Sequence, residues 1–301
     1  MPVAKQKIGL VLGSGASRGW SHIGIIKALI KEGIKPDIVT GTSVGAMIGA
    51  CYLAGNLQKL EDWVLASSRT DVYRFFNVKL TQSGFVDSKR LSKFLHDYVA
   101  GEDVKIEDFP QPYAAVATNL KNGREVWFQK GKVAHAVRAS MALPGLFPAV
   151  FDNHHWLVDG GLVNPVPVSA CRALGADVVL AVNLNLDIVG KRSPKKQDEN
   201  PEKKKGVLHK VRQTTRDMTT SIFPESEKAE EPPGLFISVT NSINIVQDRI
   251  TRSRMAGDPA EVMITPQLSH IGMLEFQRAG EAIEEGERCV QNRLDEIRRL
   301  L

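Results

Sequence analysis

The segment Gly41–Thr42–Ser43–Val44–Gly45 constrains this chain more than any other. Ahead of it, Asp37–Thr40 reads as a short buried strand; behind it, Ala46–Ala54 reads as a buried helix. A serine on so sharp a strand-to-helix turn needs small neighbours, because the turn presses Gly41 and Gly45 against other backbone. The turn also points the hydroxyl out at a helix N-terminus, where negative charge is favoured. G-x-S-x-G occurs in plain strand-to-helix turns as well, so its meaning depends on the rest of the chain.

Lys7–Leu12 reads as a first strand that runs into Gly13–Ser14–Gly15–Ala16–Ser17–Arg18–Gly19. Trp20–Lys31 follows as a helix stopped by Gly33. With the second strand and its helix this makes a βαβα order, which predicts a parallel sheet with helices on both faces. Gln58–Ser67 and a helix capped at Asp87 or Ser88 and running to Ala100 come next, with Arg69–Gly84 between them as a loop over a pocket. Tyr113–Asn119 and Arg124–Gln129 read as strands joined by a hairpin at Lys121–Asn122–Gly123.

Lys132–Ala139 is a short helix. Ser140–Val150 is apolar, but Pro144, Gly145 and Pro148 prevent it from being a regular helix throughout. Trp156–Asp159 is strand-like, Val166–Leu174 helical, and Asp177–Leu184 an apolar run typical of a central parallel strand. Helices over Leu235–Met255 and Leu274–Leu301 enclose a last strand at Glu261–Thr265.

At 301 residues the chain can form one large α/β domain or two modest ones. It has no run of eighteen apolar residues and no apolar leader with a cleavage site. Cys51, Cys171 and Cys289 are odd in number and far apart, which points to packing thiols in a reducing cytoplasm rather than disulfides or a metal site. The net charge of +5 is too small to argue for nucleic acid or membrane by itself. Lys191–Arg212 carries nine Lys or Arg against three Asp or Glu and adjoins an amphipathic stretch at Val207–Ile222. That region is either a solvated loop with a core helix or a peripheral contact with anionic lipid.

Three local features carry chemistry. The Gly13–Gly19 loop aims backbone N–H groups into one concavity, which fits a plain turn, a nucleotide site or an oxyanion hole. The dinucleotide pattern fails where Arg18 takes the place of the last glycine, and no G-K-[ST] follows. Arg18, a cation near a helix N-terminus, needs a partner, either a carboxylate or an anionic substrate. Asp159–Gly160–Gly161 places a carboxylate at a strand end, with two glycines that let it approach another turn.

Together, G-x-G-x-x-R-G, G-T-S-V-G and D-G-G, with Ser140-x-Ala142-x-Pro144, Phe147–Pro148 and Asn164–Pro165, resemble the patatin-like phospholipase family over about Ile8–Leu184. The resemblance implies a three-layer α/β/α sandwich with a mainly parallel sheet. It also implies a serine–aspartate dyad, Ser43 as nucleophile and Asp159 as general base. The oxyanion hole would lie within Gly13, Ser14, Gly15, Ala16, Arg18 and Gly19. Many relatives have three successive glycines where this chain has Gly13–Ser14–Gly15, and Gly15 and Ala16 are the expected donors. Histidine is the alternative base, with His154 or His155 completing a triad.

The expected organisation is a catalytic region over 7–190, a basic loop and amphipathic helix over 191–233, and C-terminal helices and strand over 234–301 packing on the same domain. The expected substrate is a carboxylic ester of a phospholipid or lysophospholipid. A soluble esterase or thioesterase, or a weakly catalytic scaffold protein, is the alternative. No cofactor, metal or nucleic-acid partner is expected. The expected location is the cytoplasm, with peripheral contact at an anionic membrane face.

Overall fold

The computed structural model describes residues 6–67, 88–188 and 234–301. The Arg69–Gly84 loop, the basic segment and the amphipathic stretch at Val207–Ile222 lie outside the described residues.

The first strand, β1 (Ile8–Leu12), is buried throughout and alternates its side chains between two cores. Leu10 and Leu12 join the larger core with helices α1 (Ser21–Lys31), α2 (Val44–Leu53) and α3 (Leu57–Ala66). Val11 joins a smaller core on the other face with helix α6 (Val168–Ala173). Two buried faces are what a parallel sheet requires, and they make the structure a three-layer α/β/α sandwich.

Strand β1 pairs in parallel with β2 (Ile38–Thr42) on one side and β7 (Val178–Val182) on the other. Strand β8 (Val262–Ile264) adds to β7 in parallel, so the last third of the chain shares the sheet of the first. Strand β3 (Tyr113–Asn119) pairs in parallel with β2 and antiparallel with β4 (Glu125–Phe128) through the expected hairpin. Strands β5 (Val150–Asp152) and β6 (His155–Asp159) form a second hairpin, and β6 pairs antiparallel with β3. The turn at Asn153 and His154, both with positive φ, is the kind that matches strand twist.

Some boundaries differ from the sequence reading. The helix starting near Ser88 is α4 (Ser88–Phe94), which continues as a π-turn over Leu95–Val99. Helix α5 (Val133–Ser140) ends at the irregular apolar segment, as the prolines require. That segment ends earlier than expected, because Val150 pairs with Leu157 and begins β5. The strand partner that decides this is the next strand, reached through the Asn153–His154 turn.

The C-terminal helices are α7 (Leu235–Gly257) and α8 (Ala279–Leu300). Helix α8 lies against α1 with the two backbones touching. A Cβ built on Gly24 would stand 2.0 Å from the Ile283 carbonyl oxygen, and one on Gly286 would stand 2.1 Å from that of Ser21. Only glycine permits such a crossing. Among the described residues no helix is long and apolar enough to cross a membrane.

Candidate active site

Strand β3 explains how two distant residues meet. Strand β2 pairs with Tyr113–Val116 and β6 with Ala117–Asn119, whereas β4 pairs with Ala115–Thr118 and overlaps both. A strand has two edges, so β4 occupies one, and β2 and β6 share the other. One runs along that edge from each end, and they approach head to head. Ser43 follows the last residue of β2, and Asp159 is the last residue of β6. Their side chains meet there, with Ser43 Oγ donating to Asp159 Oδ2 at 2.6 Å.

Ser43 has φ 58° and ψ −124°, a conformation that a residue with a Cβ rarely adopts. Such a backbone costs about 1–3 kcal/mol and persists only where its surroundings fix it. The Ser140 hydroxyl supplies one constraint. Fully buried, it accepts from Ser43 N at 2.8 Å and donates to the Val116 carbonyl at 2.6 Å. Replacing Ser140 by Ala strips the Ser43 N–H of this acceptor, and an unsatisfied buried donor costs about 1–3 kcal/mol. The Ser140→Ala protein is expected to unfold at lower urea concentration by about that much. It should also lose turnover, measured against the parent with the same ester.

Asp159 is 1% exposed. Its Oδ1 accepts from Gly161 N at 2.7 Å, so the D-G-G turn orients the carboxylate. Burial raises its pKa to about 6, against the lowering effect of the bonds from Ser43 and Gly161. His154 and His155 are exposed near the tip of the β5–β6 hairpin, and the hydrogen bond of Ser43 runs directly to Asp159. His135 pairs instead with Asp152 at 2.9 Å.

The Gly13–Gly19 loop lies beside this pair, and Gly45 of α2 packs against Leu12 and Gly13. Not all of the loop's N–H groups are free. Gly13 N donates to Val182 O, Ser14 N to Pro165 O, Ser17 N to Met273 O and Arg18 N to Gly15 O. Gly15 N and Ala16 N have no acceptor among the described residues. Ala16 has φ 49°, and its side chain lines the pocket described below. Gly19 packs on Val44; its place in the loop is set by contact, since a Cβ there would stand 2.3 Å from the valine methyls.

His22 anchors the loop from below. Its Nε2 lies 2.9 Å from the Gly13 carbonyl, and burial pulls its pKa down to about 4. A carbonyl only accepts, so the neutral ring carries its proton on Nε2. The Arg18 side chain is buried too; burial lowers its pKa to about 10, opposed by the charge of Asp187. The carboxylate whose charge acts on Arg18 is thus Asp187.

Helix α7 contributes residues that no motif announces. Gln247 is 5% exposed, and its Oε1 accepts from Ser14 Oγ at 3.3 Å and Asn185 Nδ2 at 3.0 Å. A Cβ on Gly161 would stand 2.4 Å from Gln247 Nε2, so this side chain wedges between the loop and the D-G-G turn. Arg254 donates from Nε to Val163 O at 2.9 Å and pairs with Glu125, which also receives Asn164 Nδ2. The polar positions Asn244, Gln247, Asp248 and Thr251, which recur on one helix face at intervals of three or four with Gln247 and Asp248 adjacent, are all buried. Buried polar spacing on one helix face is the signal that could have found them.

Beside Ser43 opens an apolar pocket of about 710 Å³, including its open mouth. Trp20, Met47, Trp63, Leu91, Phe94, Met141, Leu143, Phe147 and Phe276 are among the residues lining it.

The profile of the patatin-like phospholipase family matches residues 10–172. The chain belongs to that family, and it is a lipid acyl hydrolase. It is 29% identical to an uncharacterised NTE family protein of Mycobacterium bovis, over 94% of this chain and 90% of that one. It is 38% identical to Lysophospholipase NTE1 of Yarrowia lipolytica over 60% of this chain, which is 13% of that much longer protein. The solved structure of VipD from Legionella pneumophila aligns over 97% of this chain with a TM-score of 0.47 and 13% identity.

Proposed function

We propose that this chain hydrolyses carboxylic esters of lysophospholipids or related lipids through a Ser43–Asp159 dyad and an acyl-enzyme. The observation that carries the reading is the 2.6 Å bond to a buried carboxylate from the hydroxyl of a serine that lines an apolar pocket. A serine hydroxyl is a weak nucleophile until its proton is taken. Asp159 Oδ2 receives that proton as Oγ attacks the ester carbonyl, and its raised pKa makes it a better acceptor than an ordinary aspartate. The developing oxyanion is held by Gly15 N–H and Ala16 N–H; each such donor is worth about 10²–10³ in rate.

Collapse of the tetrahedral intermediate expels the alcohol or lysolipid headgroup portion, which takes the proton from Asp159. The acyl group, its chain in the pocket, stays on Ser43. Water then attacks with Asp159 again as base, and the fatty acid leaves. The lysophospholipase names of the fungal relatives support the substrate class, as does the apolar lining of the pocket.

The test is labelling with a fluorophosphonate and locating the adduct by mass spectrometry. An adduct on Ser43 that disappears in Asp159→Asn is the expected result. Labelling at another serine, or none on folded protein, would remove the basis of the proposal.

A further inference from the structure

The hairpin that delivers Asp159 also presents a surface that the chemistry does not use. Trp156 lies opposite Phe151 across the β5–β6 ladder, with ring centroids 5.0 Å apart. On the other side, Leu120 N donates to Trp156 O at 2.9 Å, which continues the β3–β6 register and sets Leu120 opposite Trp156. Residues directly opposed across strands share a face. The three therefore form one apolar row, and each is more than half exposed: Leu120 56%, Trp156 53% and Phe151 54%. Single exposed apolar residues are ordinary, but a contiguous row marks an interaction site.

Its position relative to the active site follows from the strand. Strand β6 runs inward to Asp159, so Trp156, three residues earlier, lies about 10 Å further out along the strand. Side chains alternate along a strand, so those of Trp156 and Asp159 leave opposite faces of β6, and the row lies on the face away from Leu157 and Val150, which pack in the core.

Its surroundings are basic. Lys121 and Arg124 are exposed in the neighbouring hairpin, and neither side chain has an ion-pair partner among the described residues. The nearby acids are engaged, Glu125 by Arg254 and Asn164, and Asp152 by His135 and Asn153. A twofold contact with a second copy would set these cations close to their own copies, which disfavours self-association. An apolar row with an indole, flanked by uncompensated cations, matches an anionic lipid–water interface.

We propose that Leu120, Trp156 and Phe151, with Lys121 and Arg124, form the surface by which this protein rests on an anionic phospholipid bilayer. The aromatic rings enter the headgroup region and the cations meet lipid phosphates. The proposal builds on the lipid-hydrolase reading, but binding can be measured without turnover.

The full chain and its Ser43→Ala form are sedimented with vesicles of phosphatidylcholine, with and without phosphatidylglycerol. Both are expected to bind the anionic vesicles more tightly. Phe151→Ser with Trp156→Ser should weaken that binding at least tenfold. Lys121→Glu with Arg124→Glu should weaken it about fivefold or more per residue. Circular dichroism and hydrolysis of a water-soluble short-chain ester should be unchanged in both double variants. Equal vesicle binding by the folded variants and the parent would overturn the proposal, as would a parent that ignores anionic vesicles. So would double variants whose only change is loss of a concentration-dependent dimer. If the Ser43 reading fails instead, ester hydrolysis survives in Ser43→Ala while the vesicle results stand by themselves.

Discussion

Asp159→Asn is expected to lower kcat/KM by about 10²–10⁴, the usual contribution of a positioned general base. The substitution preserves shape. Asn Oδ1 can still accept from Gly161 N, and Nδ2 can face Ser43 Oγ, but now as a donor. The serine proton then has nowhere to go. Activity within tenfold of the parent would place the base elsewhere.

The same substitution should stabilise the fold at neutral and alkaline pH. The folded pKa of Asp159, about 6, lies above the 3.8 of an unperturbed aspartate. A raised carboxylate contributes stability that is fully present below pH 3.8 and is lost as pH rises through about 6. Ionising it in the folded protein therefore costs about 2–3 kcal/mol, at 1.36 kcal/mol for each unit of pKa. Asparagine avoids this cost. The Tm of Asp159→Asn should exceed that of the parent at pH 8, and the difference should vanish near pH 4. In the parent, kcat/KM should fall on the acid side with an apparent pKa near 6 as the base is protonated. An acid limb near 4 would show that burial does not tune this group.

Gly45→Ala is expected to be the most damaging methyl that can be added near the site. Its Cβ would stand 2.0 Å from the Leu12 carbonyl oxygen, 2.5 Å from the Leu12 carbonyl carbon and 2.7 Å from the Gly13 oxygen. All three are backbone atoms, in β1 and in the glycine-rich loop, and no rotamer change relieves the overlap. Either α2 retreats from β1 or the loop shifts. Overpacking of this kind costs about 3 kcal/mol or more. A displacement of about 1 Å in the catalytic geometry costs about 10² in rate. Denaturant titration and kcat/KM on the same preparation would show both losses. A variant as stable and as active as the parent would mean that α2 does not need this approach.

Much of the architecture could be read from local pattern. The alternation of strand, glycine turn and apolar helix over the first fifty residues predicts the parallel sheet, and β1, β2, α1 and α2 lie there. Lys121–Asn122–Gly123 predicts a hairpin and makes one. These features arise from interactions between near neighbours, so the sequence contains them. Strand β5 was not legible, because three residues become a strand only when a partner lines up beside them.

The site was legible as parts. Ser43, Asp159 and the Gly13–Gly19 loop each stand in a local pattern, and their order resembles one family. Which loop N–H groups are free follows from where Val182, Pro165 and Met273 place their carbonyls. Ser140 stands in the family pattern, but its bond to Ser43 N is set by the fold; Gln247 and Arg254 brace the site from α7, where only the spacing of polar positions hints at it.

By itself, the sequence determined the local shapes: which stretches extend, which coil, and where a serine is forced onto a strained turn. Only the tertiary structure decided that β2 and β6 share one edge of β3 and so bring their ends together. It also decided how deeply the carboxylate is buried, and hence how basic it is. Proximity and desolvation depend on what surrounds a residue in space, and a chain encodes that only through the whole fold.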